Sequence, residues 1–157
     1  MMKQEKKVIG WREWVCLPEL GIKNIKAKID TGARTSSLHA FDMKIKKTSH
    51  GEYVEFTVHP EQRNIKKTIK CKCKVVEYRS IKSSNGHSEL RPVIISKLQI
   101  LDEEFDIELT LTNRDTMGFR LLLGRECFRK KFLIDAGKSY FGKKMVKSKV
   151  KHIKGKK

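Results

Sequence analysis

The densest chemistry in the chain lies in twelve residues, Lys28-Ile29-Asp30-Thr31-Gly32-Ala33-Arg34-Thr35-Ser36-Ser37-Leu38-His39. Upstream, Ile25, Ala27 and Ile29 alternate with lysines as a strand does, and this strand runs straight into Asp-Thr-Gly. The glycine lets the chain turn tightly, so neighbouring N–H and hydroxyl groups can hold the Asp30 carboxyl rigidly. Peptide-bond hydrolysis by carboxyl groups needs such an acid. In that chemistry two carboxyls share one proton: one is the base for the attacking water, and the other, protonated, polarises the scissile carbonyl. Asp30 is the candidate acid, with Thr31 and Gly32 completing its turn. The bland alternative is an aspartate that caps its own backbone in an Asx turn.

The chain has one Asp-Thr-Gly. The nearest second candidate, Asp135-Ala136-Gly137, reads as structural. Two acids therefore require a homodimer, with Asp30 from each subunit at the two-fold axis. The other option is Asp30 as a lone base, with a cation or hydroxyl stabilising the oxyanion. Lys28, Arg34, Thr35, Ser36 and His39 are within sequence range for that role. A dyad favours acidic pH, whereas a lone base helped by cations works near neutrality. Arg34 can bind a substrate carboxylate bidentately. Arg91, before Pro92, is a candidate to reach over the site as a flap would, and Arg125 is a candidate loop brace or substrate contact. Such a basic surround selects acidic peptides.

These residues need a scaffold, and almost every segment has period two. The spacing predicts a strand over Val8–Val15 bulged at Gly10, a turn at Pro18–Gly21, and a strand Ile25–Ile29 that forms a hairpin with the first. Thr35–Ala40 is extended, with Leu38 inward. Alternation recurs over Tyr53–Val58, Ile69–Arg79, Leu90–Ile100 and Phe105–Leu111, with hairpin residues at Ser83-Ser84-Asn85-Gly86. Phe119–Arg125 carries the apolar run Leu121-Leu122-Leu123 up to Gly124 and belongs in the centre of a sheet. One short helix, Glu126–Lys130, and a closing strand, Phe132–Asp135, follow.

Length bounds the answer to one domain with a core of its own: the chain has 157 residues and a net charge of +18. Eight lysines and no acid lie between Gly142 and Lys157. Residues 1–142 are read as the domain and 143–157 as a basic, disordered tail. This balance favours an anionic partner, such as the ribosome or RNA held by the lysine tail, or an acidic protein. Four cysteines make no disulfide framework, and no apolar signal or membrane-length run is present, so the expected setting is the cytoplasm without membrane contact.

Asp30-Thr31-Gly32-Ala33, followed later by Leu122-Leu123-Gly124-Arg125 and a short helix, resembles the retropepsin half-barrel. More closely, Gly10-Trp11-Arg12-Glu13-Trp14-Val15, Leu17-Pro18-Glu19-Leu20-Gly21, the Ile25–Ala40 stretch, Arg91-Pro92 and Gly124-Arg125 resemble the RimK-associated peptidase family. That family is described as retropepsin-like and often labelled "ATP-dependent zinc protease". The resemblance implies a peptidase fold acting beside a ligase that adds glutamates to the C-terminus of a ribosomal protein, the peptidase trimming such tails. It does not bring its label with it. The chain has no Gly-x-x-x-x-Gly-Lys-Ser/Thr loop for ATP. His39, His50, His59, His87 and Cys71-Lys72-Cys73 lack zinc spacing, where ligand pairs are separated by about two to four intervening residues.

The expectation is thus an all-β, retropepsin-like closed barrel or half-barrel with one short C-terminal helix. Its function would be that of an aspartic-type peptidase for acidic, glutamate-rich C-terminal tails, with no metal or other cofactor. The competing expectation is a non-catalytic basic β-barrel module that binds RNA or the ribosome.

Overall fold

The computed structural model describes residues 5–61, 67–82, 86–113 and 118–144. Its strands, in chain order, are β1 (Lys7–Gly10), β2 (Arg12–Leu17), β3 (Ile22–Asp30), β4 (Ser36–His39), β5 (Phe41–Thr48), β6 (Gly51–Val58), β7 (Ile69–Lys74), β8 (Glu77–Lys82), β9 (Ser88–Ile100), β10 (Glu103–Thr112), β11 (Leu121–Gly124) and β12 (Phe132–Asp135). Helix α1 (Arg125–Phe128) is a single turn between the last two.

Six strands close a ring in the order β10-β4-β11-β3-β2-β9, with β9 pairing back onto β10 and β8 added outside β9. A closed ring leaves few edges for misassociation. The inward positions are those that alternation marks: Ile25, Ala27, Ile29, Leu38, Leu121 and Leu123 are all buried. The apolar β11 lies centrally, between β3 and β4, with Leu122 only half-buried on the outer face. β5, β6 and β7 form a separate antiparallel sheet whose inner face adds Val54, Phe56, Val58 and Cys71 to the same core. The all-β, retropepsin-like barrel with one short helix is therefore what the chain forms.

Three details differ from the sequence pattern. The expected first strand breaks at Trp11. A Cβ on Gly10 would stand 2.3 Å from the Lys138 carbonyl oxygen, so the crossing of residues 138–139 over this point demands glycine. β1 then leaves to pair in parallel with β12, while β2 stays antiparallel to β3. Ile69–Arg79 is two strands in two sheets: Val75 N–H donates to Glu52 O (2.9 Å), and Val76 N–H to Val93 O (2.9 Å). β5, which alternation does not mark, is a lysine-rich strand exposed along most of its length.

Glu13 shows why period two can mislead. It sits inward in β2, fully buried, and its carboxylate accepts N–H groups from Gly10 (2.7 Å), Phe141 (2.9 Å) and Gly142 (2.9 Å). Paired charge-assisted bonds of this kind make burial of a carboxylate tolerable, and here they tie the segment after β12 to the barrel. The described chain runs on to residue 144, with the Lys144 ammonium 4.9 Å above the Trp14 ring. Most of the expected tail (145–157) and most of the Ser83–Gly86 turn (83–85) lie outside the described residues. Among the described residues, no helix is long and apolar enough to cross a membrane.

Candidate active site

Asp30 is the last residue of β3, and the register sets Gly124 of the parallel strand β11 directly beside it. The chain turns at once: Gly32 N–H donates to Asp30 Oδ1 (3.0 Å), and Ala33 N–H to the Asp30 carbonyl (3.2 Å). The returning segment crosses over Gly124 so closely that a Cβ there would lie 2.6 Å from the backbone C and O of Thr35. That crossing is stitched by Arg125 N–H to Ala33 O (2.8 Å), Glu126 N–H to Arg34 O (3.2 Å) and Gly124 N–H to Ser36 Oγ (3.0 Å). Arg125 Nη1 reaches back to the carbonyls of Thr31 (3.3 Å) and Gly32 (3.4 Å). The aspartate's turn is thus gripped from strand, crossing and helix, while its carboxyl stays half-exposed. Among the described residues Oδ2 takes no hydrogen bond and no second carboxylate bonds to Asp30.

Asp135 has a closely similar setting. Gly137 N–H donates to its Oδ1 (3.0 Å), and it ends β12 beside Gly10 of the parallel strand β1. The following segment crosses over that glycine, with Trp11 N–H donating to Lys138 O (2.9 Å) and Tyr140 N–H to Arg12 O (3.0 Å). The fold builds the same strand–aspartate–glycine crossing twice. The Asx bond alone therefore does not distinguish a catalytic acid. What distinguishes Asp30 is the Arg125 side chain, which bonds two carbonyls of its loop.

Lys28 shares the outward face of β3 with Asp30, two positions upstream, and faces Arg12 on β2. The sequence reading did not single out Arg12. Its guanidinium is held between the rings of Trp11 (4.6 Å) and Tyr140 (5.0 Å), and its Nε donates to Ser139 Oγ (3.0 Å). The only signal was its place between alternating aromatics, which means nothing until the β2–β3 register puts it opposite Lys28. Arg34 is exposed beside α1, where it joins Arg129, the stronger influence, in holding the Glu126 carboxyl below its usual range. Thr31 and Gly32 are exposed at the turn, and Thr35 lies half-buried under Gly124.

Ser36, His39 and Arg91 are engaged elsewhere. Ser36 is buried, with its hydroxyl accepting from Gly124. His39 is buried at the far end of β4, about 10 Å of extended chain beyond Ser36. Arg120 Nη1 lies 2.8 Å from its Nδ1 and Asn113 O lies 3.1 Å from its Nε2. A guanidinium only donates, so Nδ1 accepts and Nε2 carries the proton to the Asn113 carbonyl. Arg91 belongs to the same end: Nε donates to Glu89 Oε1 (2.6 Å), which also accepts from Thr112 Oγ1 (3.1 Å), and Thr112 faces His39 across β10 and β4. The register therefore places this buried polar cluster away from Asp30.

Among the described residues no three His, Cys, Asp or Glu side chains converge to hold a metal ion. Cys71 and Cys73 share the inward side of β7, and burial pushes the Cys71 thiol up to about 12.

Compared with known proteins, residues 8–145 match the RimB-like family, described as retropepsin-like aspartic endopeptidase RimB. The chain is 48% identical over 139 residues to a protein of Shewanella pealeana named probable alpha-L-glutamate ligase. It is 47% identical over 130 residues to one of the same name from Desulfotalea psychrophila. These stretches cover 88% and 83% of the chain but only 30% and 28% of the relatives, which are far longer. A solved structure, Lpg0085 of Legionella pneumophila, of unknown function, superposes with a TM-score of 0.72 at 25% identity, covering 88% of this chain and 100% of that one. With the braced Asp-Thr-Gly turn and the closed barrel already in view, the chain belongs to the RimB-like family of retropepsin-like aspartic endopeptidases.

Proposed function

We propose that this chain is a cytoplasmic peptidase that cleaves acidic, glutamate-rich C-terminal tails, such as those added to a ribosomal protein, with Asp30 as its acid–base residue. The observation that carries this reading is the Asp30 turn itself. One carboxylate oxygen is fixed by Gly32 N–H, the loop is braced by Arg125, and the other oxygen is left for water. Asp30 takes a proton from that water as its oxygen attacks the scissile carbonyl. A second, protonated carboxyl donates to the carbonyl oxygen, and the tetrahedral intermediate collapses as a proton passes to the leaving amine. The second carboxyl is Asp30 of another copy of the chain. No cofactor enters the scheme.

Charge supports the substrate class. Lys28, Arg12 and Arg34 lie on or beside the face that carries Asp30, and side-chain carboxylates flanking the cleaved bond would meet them. The names of the longer relatives point the same way: a stretch like this one occurs in proteins named for joining glutamate. The test is incubation with a peptide ending in a run of glutamates, followed by mass spectrometry. Progressive loss of glutamates by the wild type, abolished in Asp30→Asn, is the expected result. Cleavage that survives Asp30→Asn would sink the proposal.

A further inference from the structure

The sheet β5-β6-β7 buries one face in the core and leaves the other to solvent. On the outer face the register lines up Lys44 and Lys46 of β5 with Glu55 and Tyr53 of β6, and these with Lys72 and Lys74 of β7; Lys70 extends the last row opposite Thr57. All five lysines are exposed. Along a row they stand about 7 Å apart, and the two rows about 10 Å apart, from strand geometry. Between them runs a middle row of Tyr53, Glu55 and Thr57, with the Lys72 ammonium 5.5 Å from the Tyr53 ring.

Only some of the surface lysines are matched by a carboxylate. Lys7, Lys67 and Lys97 each contact a carboxylate, whereas among the described residues none of the five on this sheet is in an ion pair, although Glu55 sits among them. Five clustered ammonium groups on one sheet face attract a polyanion and gain from counterion release. The two-row width with an aromatic ring in the middle fits phosphates on both margins and a base over Tyr53 better than a single extended acidic peptide, whose charges follow one line.

We propose that the outer face of β5-β6-β7 is an RNA-docking surface that grips the phosphodiester backbone through Lys44, Lys46, Lys70, Lys72 and Lys74, with little sequence preference. It requires neither Asp30 nor the lysine tail. On a protein that trims ribosomal tails it would hold the molecule beside ribosomal RNA, but the binding stands whether or not the chain is a peptidase.

The experiment measures fluorescence anisotropy of the full-length protein with a labelled single-stranded RNA and with a labelled poly-glutamate peptide of equal length, across a salt series. Lys70→Gln/Lys72→Gln/Lys74→Gln should weaken RNA binding about tenfold or more at low salt and flatten the log–log salt slope by about 2. Lys147→Gln/Lys149→Gln/Lys151→Gln removes the same charge and should cost less than about threefold. Asp30→Asn should leave RNA binding unchanged. Equal losses for both triple variants would reduce the effect to net charge and overturn the proposal. So would a poly-glutamate peptide that binds as tightly and is lost in parallel, which would make an acidic peptide the occupant. Retained RNA binding in the sheet variant with new self-association would show that the lysines only guard the open edges of β5 and β7. Unchanged circular dichroism of each variant shows that folding is not what changed.

Discussion

Asp30 and Asp135 each accept an N–H from the glycine two residues on, at the same 3.0 Å. Asparagine keeps an Oδ1 acceptor in either turn, so Asp30→Asn and Asp135→Asn should each move stability by less than about 0.5 kcal/mol. Only a proton-transferring carboxyl is lost. Hydrolysis of a glutamate-tailed peptide should therefore vanish in Asp30→Asn and persist, within about twofold, in Asp135→Asn. Equal losses would mean that Asp135 supplies the second acid from the same chain. The sequence showed the Asp30 turn because it is local: three consecutive residues determine it. It disclosed less about its neighbours. His39 is near Asp30 in number, but β4 carries it inward and away, while Ser36 stays beside the turn as the acceptor for Gly124 N–H, so proximity along the chain is an uneven guide to proximity in space. Arg12 is remote in number and adjacent through a strand register that no local pattern reveals.

At the scale of elements, the crossing of the Thr35 segment over the end of β11 holds the turn. Gly124→Ala would push a methyl into the Thr35 backbone, which cannot swing aside as a flexible side chain can. A cost of about 1–3 kcal/mol is expected from overpacking, and peptide cleavage should fall with it because the displaced segment carries Asp30's loop. A denaturant melt beside a rate assay reads both, and an unshifted midpoint with full activity would refute the bracing role. Buried thiols give these elements an alkaline limit. Desolvation lifts Cys71 on β7 and Cys127 on α1 from 9.0 to about 12, so the folded state holds protons that the unfolded chain releases. Their stabilising contribution is complete below about pH 9 and declines as pH rises from about 9 towards 12. The loss of melting temperature over that range should be smaller in Cys127→Ala than in the wild type. Strands were legible wherever one face was buried, because burial forces alternation. β5 was not, since its lysines face solvent on most positions, and neither was the switch at Val75-Val76, where successive N–H groups serve different sheets.

At the scale of the whole molecule, one chain supplies one braced Asp-Thr-Gly, and the proposed chemistry needs two carboxyls. Under the proposed dyad, the outer side of the parallel pair β1–β12 is the patch to test for contact with a second copy. Val8 and Leu133 face each other across it, 39% and 55% exposed, on the side where Asp135 and Gly10 end the two strands. A homodimer built there would be isologous, with each copy presenting the same patch to the other. Its kinetics differ from those of a self-sufficient monomer. Specific activity should fall on dilution through the dimer dissociation constant, and Leu133→Glu should shift that fall to higher protein concentration while leaving the fold intact. Mixing gives the sharper measurement. When Asp30→Asn protein is added in equal amount to wild type at concentrations where all chains are paired, random assortment leaves wild-type pairs as about a quarter of twice as many dimers, so total activity should drop to about half. A chain that works with its own carboxyl alone would keep full activity in the same mixture, since its inactive companion would contribute nothing and take nothing away.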